Sequence, residues 1–203
     1  MNLKELYYRV AAKNLAKPQG FLGRFAMKQI SKSNTLQYDF IVNAISNTKN
    51  LNVLDIGFGN GALLNLLSEK YDNSYYGIDI SSDMVKLASK NAKLNLQLAN
   101  VEKIPFDDDM FDIIYTCNTV YFWQDTNKAI NEINRILKHD GVFYNLFYTK
   151  KALDDVPHTE FGFNKRTIQE MIELFKPLGK TKLHEIKNKL LYAIEVRKEK
   201  NSN

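Results

Sequence analysis

Residues 53–61 read Val-Leu-Asp-Ile-Gly-Phe-Gly-Asn-Gly, and Asp79 stands 24 positions after Asp55, in Tyr-Tyr-Gly-Ile-Asp-Ile-Ser. Leu51 to Ile56 is an apolar, β-branched run of strand length. Gly57, Gly59 and Gly61 follow at alternate positions, and Ala62-Leu63-Leu64-Asn65-Leu66-Leu67 then opens a helical pattern. Strand, glycine turn and helix make the first half of a nucleotide-binding βαβ unit. Glycines there permit positive φ and close backbone approach, while the helix start offers unpaired N–H groups. Tyr75 to Ile80 reads as the second strand and delivers Asp79 at its carboxyl end, where a carboxylate can accept both hydroxyls of a ribose. An adenosine is the expected ligand.

Gly57, Gly59 and Ala62 also satisfy the G-x-G-x-x-G/A fingerprint of NAD and FAD sites. Three features point instead to S-adenosylmethionine. Asp55, two residues before the first glycine, would repel a pyrophosphate but suits a sulfonium or an ammonium. About 50 residues precede the first strand, where a dinucleotide domain often begins. Only about 120 residues follow the second strand, too few for the rest of that fold and a separate catalytic domain.

With these residues the chain resembles the class I S-adenosylmethionine-dependent methyltransferases. Leu98-Ala99-Asn100-Val101-Glu102-Lys103-Ile104-Pro105-Phe106 is similar to the family's G-D-A-x-x-L-P-F, and Phe111-Asp112-Ile113-Ile114 to its F-D-x-V. Ala129 to Gly141 is similar to its helix and turn A-L-x-E-x-x-R-V-L-K-P-G-G. The matches run in order over roughly residues 50–147, nearest in style to small-molecule methyltransferases of the ubiquinone/menaquinone-biosynthesis type. The resemblance implies cofactor contacts from Asp55, Gly57, Gly59, Gly61, Asp79, Ile80, Asn100, Val101 and Asn118. Ile80 would lie against one adenine face, Asn100 near its amino edge, and Gly57 and Asn118 at the methionine end. Departures are Phe58 where the family often has Cys, Asn100 for the usual Asp, and His139-Asp140 for the Pro-Gly of the turn.

Acceptor-side candidates follow the fourth strand in Asn118-Thr119-Val120-Tyr121-Phe122-Trp123, because the carboxyl ends of an open sheet face the ligand crevice. Tyr121 can donate or accept a proton; Trp123 can exclude water or stack on a flat acceptor. His158, in the 148–163 loop, is the candidate general base. For each, packing or surface exposure is the competing reading. Cys117 reads as packing, and Asp107-Asp108-Asp109 as a solvated turn, so no metal is expected. The segment after strand four lacks the Asn/Asp-Pro-Pro-Tyr common in methylases of nucleic-acid base amines.

The 203 residues are 44% hydrophobic with one cysteine, which suits one domain in the cytoplasm without a disulfide framework. The whole of 1–203 is expected to be a single methyltransferase domain, with a helical cap over 1–48 and a Rossmann-like core over 49–203. No apolar run approaches membrane-spanning length. Charge is uneven: residues 1–32 carry +6, residues 176–203 carry +5, and the middle −6. Helices are expected over 3–17, 34–46, 61–70, 82–92, 125–138 and 165–176. Strands are expected at 51–56, 75–80, 95–99, 111–117, 141–147, 180–187 and 190–197. Together these predict an α/β fold, a doubly wound, mostly parallel seven-stranded sheet ending in an antiparallel hairpin. The expected function is methyl transfer from S-adenosylmethionine to a small-molecule acceptor by in-line displacement. An RNA methyltransferase using the basic ends, or a non-catalytic S-adenosylmethionine-binding protein, are the alternatives.

Overall fold

The computed structural model describes residues 2–199. Met1 and residues 200–203, within the expected 1–203 domain and including Lys200 of the basic C-terminal stretch, lie outside the described residues. Three helices come first: α1 (Leu3–Ala16), α2 (Gly20–Ser33) and α3 (Thr35–Ile45). Then β1 (Asn52–Ile56), α4 (Ala62–Lys70), β2 (Ser74–Asp79), α5 (Ser82–Ala88) and β3 (Leu94–Leu98) alternate. The second half holds β4 (Phe111–Cys117), α6 (Thr126–Ile136), β5 (Leu137–Tyr148), α7 (Lys150–Asp154), α8 (Ile168–Phe175), β6 (Lys180–Lys187) and β7 (Leu191–Arg197).

The seven strands form one sheet in the order β3-β2-β1-β4-β5-β7-β6. β1 pairs in parallel with β2 and β4, β2 with β3, and β4 with β5. β7 runs antiparallel to both β5 and β6. The winding direction reverses between β1 and β4, so a crevice opens at their carboxyl ends. Each sheet face is covered. Leu54, Ile114 and Phe143 pack under Ile130 and Ile133 of α6 and Phe175 of α8. Val53, Ile113 and Tyr115 pack under Ile41 of α3 and Leu64 and Leu67 of α4. Among the described residues no helix is long and apolar enough to cross a membrane.

Three differences from the expected elements have local causes. α2 was not anticipated, because its large side chains Phe21 and Phe25 point outward while Gly23 lies on the inner side. Its apolar period therefore does not mark a buried face. α5 stops at Ala88 rather than 92, because the Asn91 amide turns to Asn65 Oδ1 (2.8 Å) and Ser68 Oγ (3.2 Å). The Asn91 carbonyl oxygen of that same side chain accepts Lys93 N–H at 3.0 Å and leads the chain into β3. The 148–163 loop contains α7 and a 3₁₀ turn at Pro157–Glu160, pinned by the buried Thr159 hydroxyl, which donates to Val156 O at 2.7 Å.

Two hydrogen bonds hook the α1–α2 connection to the start of α5. Ser81 Oγ donates to Pro18 O, and Gly20 N–H donates to Asp83 Oδ2 at 2.6 Å. On the far side of the crevice, Arg135 of α6 donates to Ile104 O (2.9 Å) and Phe106 O (2.8 Å) and pairs with Glu132. It thereby fixes the β3–β4 connection that carries Asn100 and Val101.

Gly77 in β2 lies beneath the glycine turn where neighbouring side chains leave no room for a Cβ. A Cβ there would lie 2.6 Å from Phe58 Cδ1, 2.8 Å from Leu96 Cδ2 and 2.9 Å from Leu64 Cδ1. Three side chains from three elements would have to yield together. Gly77→Ala should therefore cost about 1–3 kcal/mol of stability, read as a lowered urea midpoint at unchanged slope.

Candidate functional site

β1 ends at Ile56 and the chain turns through Gly57 (φ 78°), Gly59 (φ 57°) and Gly61 (φ 74°) into α4. A side chain at any of these would be strained by its left-handed backbone. The turn is held by two bonds to β2: Gly57 N–H donates to Ile78 O at 2.7 Å, and Gly59 N–H to Asp79 Oδ2 at 2.9 Å. The other Asp79 oxygen accepts Ser81 N–H at 2.8 Å. Each carboxylate oxygen keeps a second acceptor site. Burial, the larger effect, raises the Asp79 carboxyl to about 6 against the lowering pull of those two hydrogen bonds.

Asp55 is buried on the sheet face covered by α3 and α4. Burial holds its carboxyl well above the usual carboxylate range. The Tyr115 hydroxyl lies beside it without completing a hydrogen bond. Across the crevice, burial and then the Cys117 thiol push Tyr38 of α3 up to about 12. Burial likewise raises Cys117, with Asp55 adding to the shift.

Thr119 was not singled out in the sequence, yet it joins the two sides of the site. Its methyl group fills the space a Cβ at Gly57 would need. Its hydroxyl bonds Thr116 Oγ1, which also donates to Ile56 O at 2.8 Å, and it accepts Trp123 Nε1–H at 3.2 Å. Before it, Asn118 takes a left-handed backbone (φ 60°) and donates its N–H to Leu146 O at 2.9 Å. The Asn118 amide also reaches Asn34 Oδ1 of the cap at 3.4 Å.

A single cavity of about 910 Å³ is lined by Asp55, Gly57, Gly59, Asp79, Ile80, Asn100, Val101, Asn118, Tyr121, Trp123 and His158. Of the expected site residues only Gly61 is absent from the lining. It precedes α4 and packs on Ala88, whose Cβ would lie 2.7 Å from a Cβ at Gly61. The cap contributes Met27, Ile30, Asn34 and Tyr38 to the same wall, and the 148–163 segment adds Leu153, Val156, Thr159 and Phe163. The α2 residues went unread because α2 itself did; the capping sequence Asn34-Thr35 was the available signal for where it ends.

Tyr121 is buried, and its hydroxyl accepts Tyr148 N–H and lies 3.3 Å from Tyr148 O. Burial raises that phenol far above its ordinary range, which keeps the Tyr121 hydroxyl protonated against the Tyr148 backbone. Trp123 packs edge-on to Phe175 at 6.2 Å. His158 is half-buried beside Phe163, and burial lowers its pKa from 6.5, which leaves it neutral at physiological pH. Asn100 uses its side-chain oxygen to accept Glu102 N–H at 3.1 Å. One acceptor site on that oxygen remains. Among the described residues no group of three or more His, Cys, Asp or Glu is placed to hold a metal.

The methyltransferase domain family matches residues 54–145, the stretch from β1 to β5 that builds this wall of the cavity. That match spans a little under half of the chain and agrees with the resemblance to S-adenosylmethionine-dependent methyltransferases read in the sequence. The uncharacterized methyltransferase YdaC of Bacillus subtilis is 27% identical over 154 residues, covering 74% of this chain and 82% of YdaC. The ubiquinone/menaquinone biosynthesis C-methyltransferase UbiE of Rickettsia massiliae is 32% identical over 113 residues, covering 50% of this chain and 46% of UbiE. Coverage varies among the relatives, reaching only 38% of B. subtilis YcgJ and 56% of Methanocaldococcus jannaschii MJ1252. Among solved structures, a chain in complex with the Trm112 methyltransferase activator of Haloferax volcanii superposes with a TM-score of 0.80 at 18% identity, covering 89% of this chain and 96% of that one. A SAM-dependent methyltransferase from Aquifex aeolicus gives 0.72 at 19% identity, covering 86% and 98%. These structures share the fold.

S-adenosylmethionine, the cofactor of this family, is matched by the donor set. Asp79 has two acceptor positions that ribose hydroxyls would fit, the glycine turn presents bare backbone, and a cationic group would draw the buried Asp55 carboxyl back toward its charged form. Ribose hydroxyls donate more strongly to a carboxylate than to a carboxyl group, so affinity for S-adenosylhomocysteine should fall as pH drops through about 6. Asp79→Asn should weaken binding about tenfold or more near neutral pH and flatten that pH dependence in titration calorimetry. Without ligand the sign reverses. The folded chain holds this proton to a higher pH than the unfolded chain, so ionising Asp79 costs stability as pH rises from 3.8 to about 6.

Proposed function

We propose that this chain transfers the methyl group of S-adenosylmethionine to a small-molecule acceptor in the cytoplasm, with residues 1–48 acting as a cap on a single domain. One observation carries the reading: the cavity that begins at Asp79 continues without a break to Tyr121, Trp123, His158 and Phe163 under the cap. A roof made of α2, α3 and the 148–163 segment suits an acceptor that can be enclosed. A polymer would have to enter through it.

Bound cofactor supplies a methyl group already activated on a sulfonium, so the protein's task is to align the acceptor in line and exclude water. Asp79 would hold the ribose, Ile80 would lie against the adenine beside Asn100 and Val101, and Asp55, Gly57, Gly59 and Asn118 would receive the methionine end. Trp123 forms the acceptor-side wall, held in orientation by Thr119. Tyr121 keeps the start of the 148–163 segment in place through Tyr148. His158, neutral and facing the cavity, is placed to take a proton from an acceptor whose nucleophile carries one.

Incubation with a labelled methyl donor and a fractionated cell extract tests the reading, with label expected in the small-molecule fraction. Label in RNA would replace it with the RNA reading, and no label in any fraction with a non-catalytic role. If alignment dominates, Trp123→Ala should cut turnover about tenfold or more while changing S-adenosylhomocysteine affinity little. His158→Ala should then stay within about threefold of wild type, with no rate inflection lost below pH 6.5. A near-inactive His158→Ala beside a near-normal Trp123→Ala would make proton removal the dominant contribution instead.

A further inference from the structure

α1 is an amphipathic helix mounted the wrong way round for a soluble core. Leu3, Leu6, Tyr7 and Val10 recur at i, i+3, i+4 and i+7 and share one face. That face points outward: Leu3 is 86% exposed and Tyr7 68%. The helix docks by its other side, through the buried Ala12 and through Arg9, whose guanidinium lies 4.6 Å from the Phe161 ring centre and pairs with Glu5. α2 repeats the pattern. Phe21, 78% exposed, and Phe25 stand on its outer face with Arg24, Lys28 and Lys32.

Two consecutive helices thus present large apolar side chains interleaved with cations. Residues 2–33 carry seven Lys and Arg against one acid, and that acid, Glu5, is taken up by Arg9. Arg24 and Lys28 also line a surface cleft of about 880 Å³ with Lys90 and Lys93, four cations against the single acid Glu69. Exposed aliphatic and aromatic groups with a basic surround are the composition of helices that lie in a bilayer interface, where rings and aliphatic chains enter the acyl boundary and Lys and Arg reach lipid phosphates.

We propose that α1 and α2 seat this chain on an anionic lipid surface. The charge argues against a second copy as occupant, since two such faces would meet with like sign. The aliphatic Leu3, Leu6 and Val10 argue against RNA, whose phosphates give them no partner. Leu15 to Pro18, the end of α1 and the start of its link to α2, line the cavity. Docking therefore puts the cavity's roof next to the lipid. The proposal stands on the exposed helices alone and is independent of which acceptor is methylated.

Sedimentation of the full chain with vesicles of phosphatidylglycerol and phosphatidylcholine, against vesicles of phosphatidylcholine alone, tests it. Binding to the anionic vesicles should be about tenfold or more tighter and should weaken with added salt. Phe21→Ser with Phe25→Ser, and separately Arg24→Glu with Lys28→Glu, should each lower vesicle binding about tenfold or more without changing S-adenosylhomocysteine affinity. Leu3→Ser with Tyr7→Ser on α1 should reproduce the loss, so that a folding defect in one helix cannot decide the result. Equal binding to both vesicle types, no binding to either, or variants that bind like wild type would overturn the proposal. So would a concentration-dependent dimer, or a tight RNA complex at physiological salt, lost in these same variants.

Discussion

The geometry of this site depends on one buried carboxylate. Asp79 accepts a backbone N–H from Gly59 on one oxygen and from Ser81 on the other, so the end of β2 holds both the glycine turn and the start of α5. Ser81 in turn donates its hydroxyl to Pro18 O, which brings the cap to the same corner. Three segments far apart in sequence therefore take their positions from one residue. That residue is poised between its charged and neutral forms because burial opposes the hydrogen bonds that favour charge. A ligand with two hydroxyls would resolve the conflict, since it adds hydrogen-bond donors to the carboxylate where solvent has been removed.

A second line of contacts runs across the sheet. Trp123, Thr119, Thr116 and the Ile56 carbonyl form a chain of hydrogen bonds from the acceptor-side wall to the last residue of β1. The Thr119 methyl group occupies the space beside Gly57. The wall that would position an acceptor is thus braced directly on the strand that carries the cofactor turn. Distance and angle between donor and acceptor can be kept by short, local contacts rather than by the loops above.

The cofactor half of the molecule was legible in the sequence because its constraints are local. A strand, three glycines with positive φ and a carboxylate at the next strand end can be read residue by residue, and the mostly parallel sheet with its antiparallel end followed from the alternation of elements. What escaped depends on contacts between distant segments. Thr119 and Ser81 are ordinary hydroxyl residues until the fold sets them against Gly57, Trp123 and Pro18. α2 escaped for a different reason: a helix whose large apolar residues face outward has a period that gives no sign of burial. The same inversion leaves Leu3, Leu6, Tyr7 and Val10 exposed, although their spacing correctly marked α1. Tyr121 and His158 looked alike as proton carriers in sequence. Burial separates them, locking the phenol to Tyr148 and leaving the imidazole neutral beside open space.

The position of β7 has a consequence for the order in which the chain can be assembled. β6 touches the sheet only through β7, and β7 lies between β5 and β6 with Ala193, Ile194 and Val196 wholly buried. During synthesis β6 emerges before the strand it needs and must wait for it, while β5 keeps an open edge. The parallel half, β1 to β5, can collapse around Leu54 and Phe143, but the sheet stays one edge short until Leu191–Arg197 arrives. An unpaired, apolar β5 edge in a nascent chain is a place where another chain can add, so delayed or truncated synthesis exposes this protein to aggregation at a strand that is fully interior once folded.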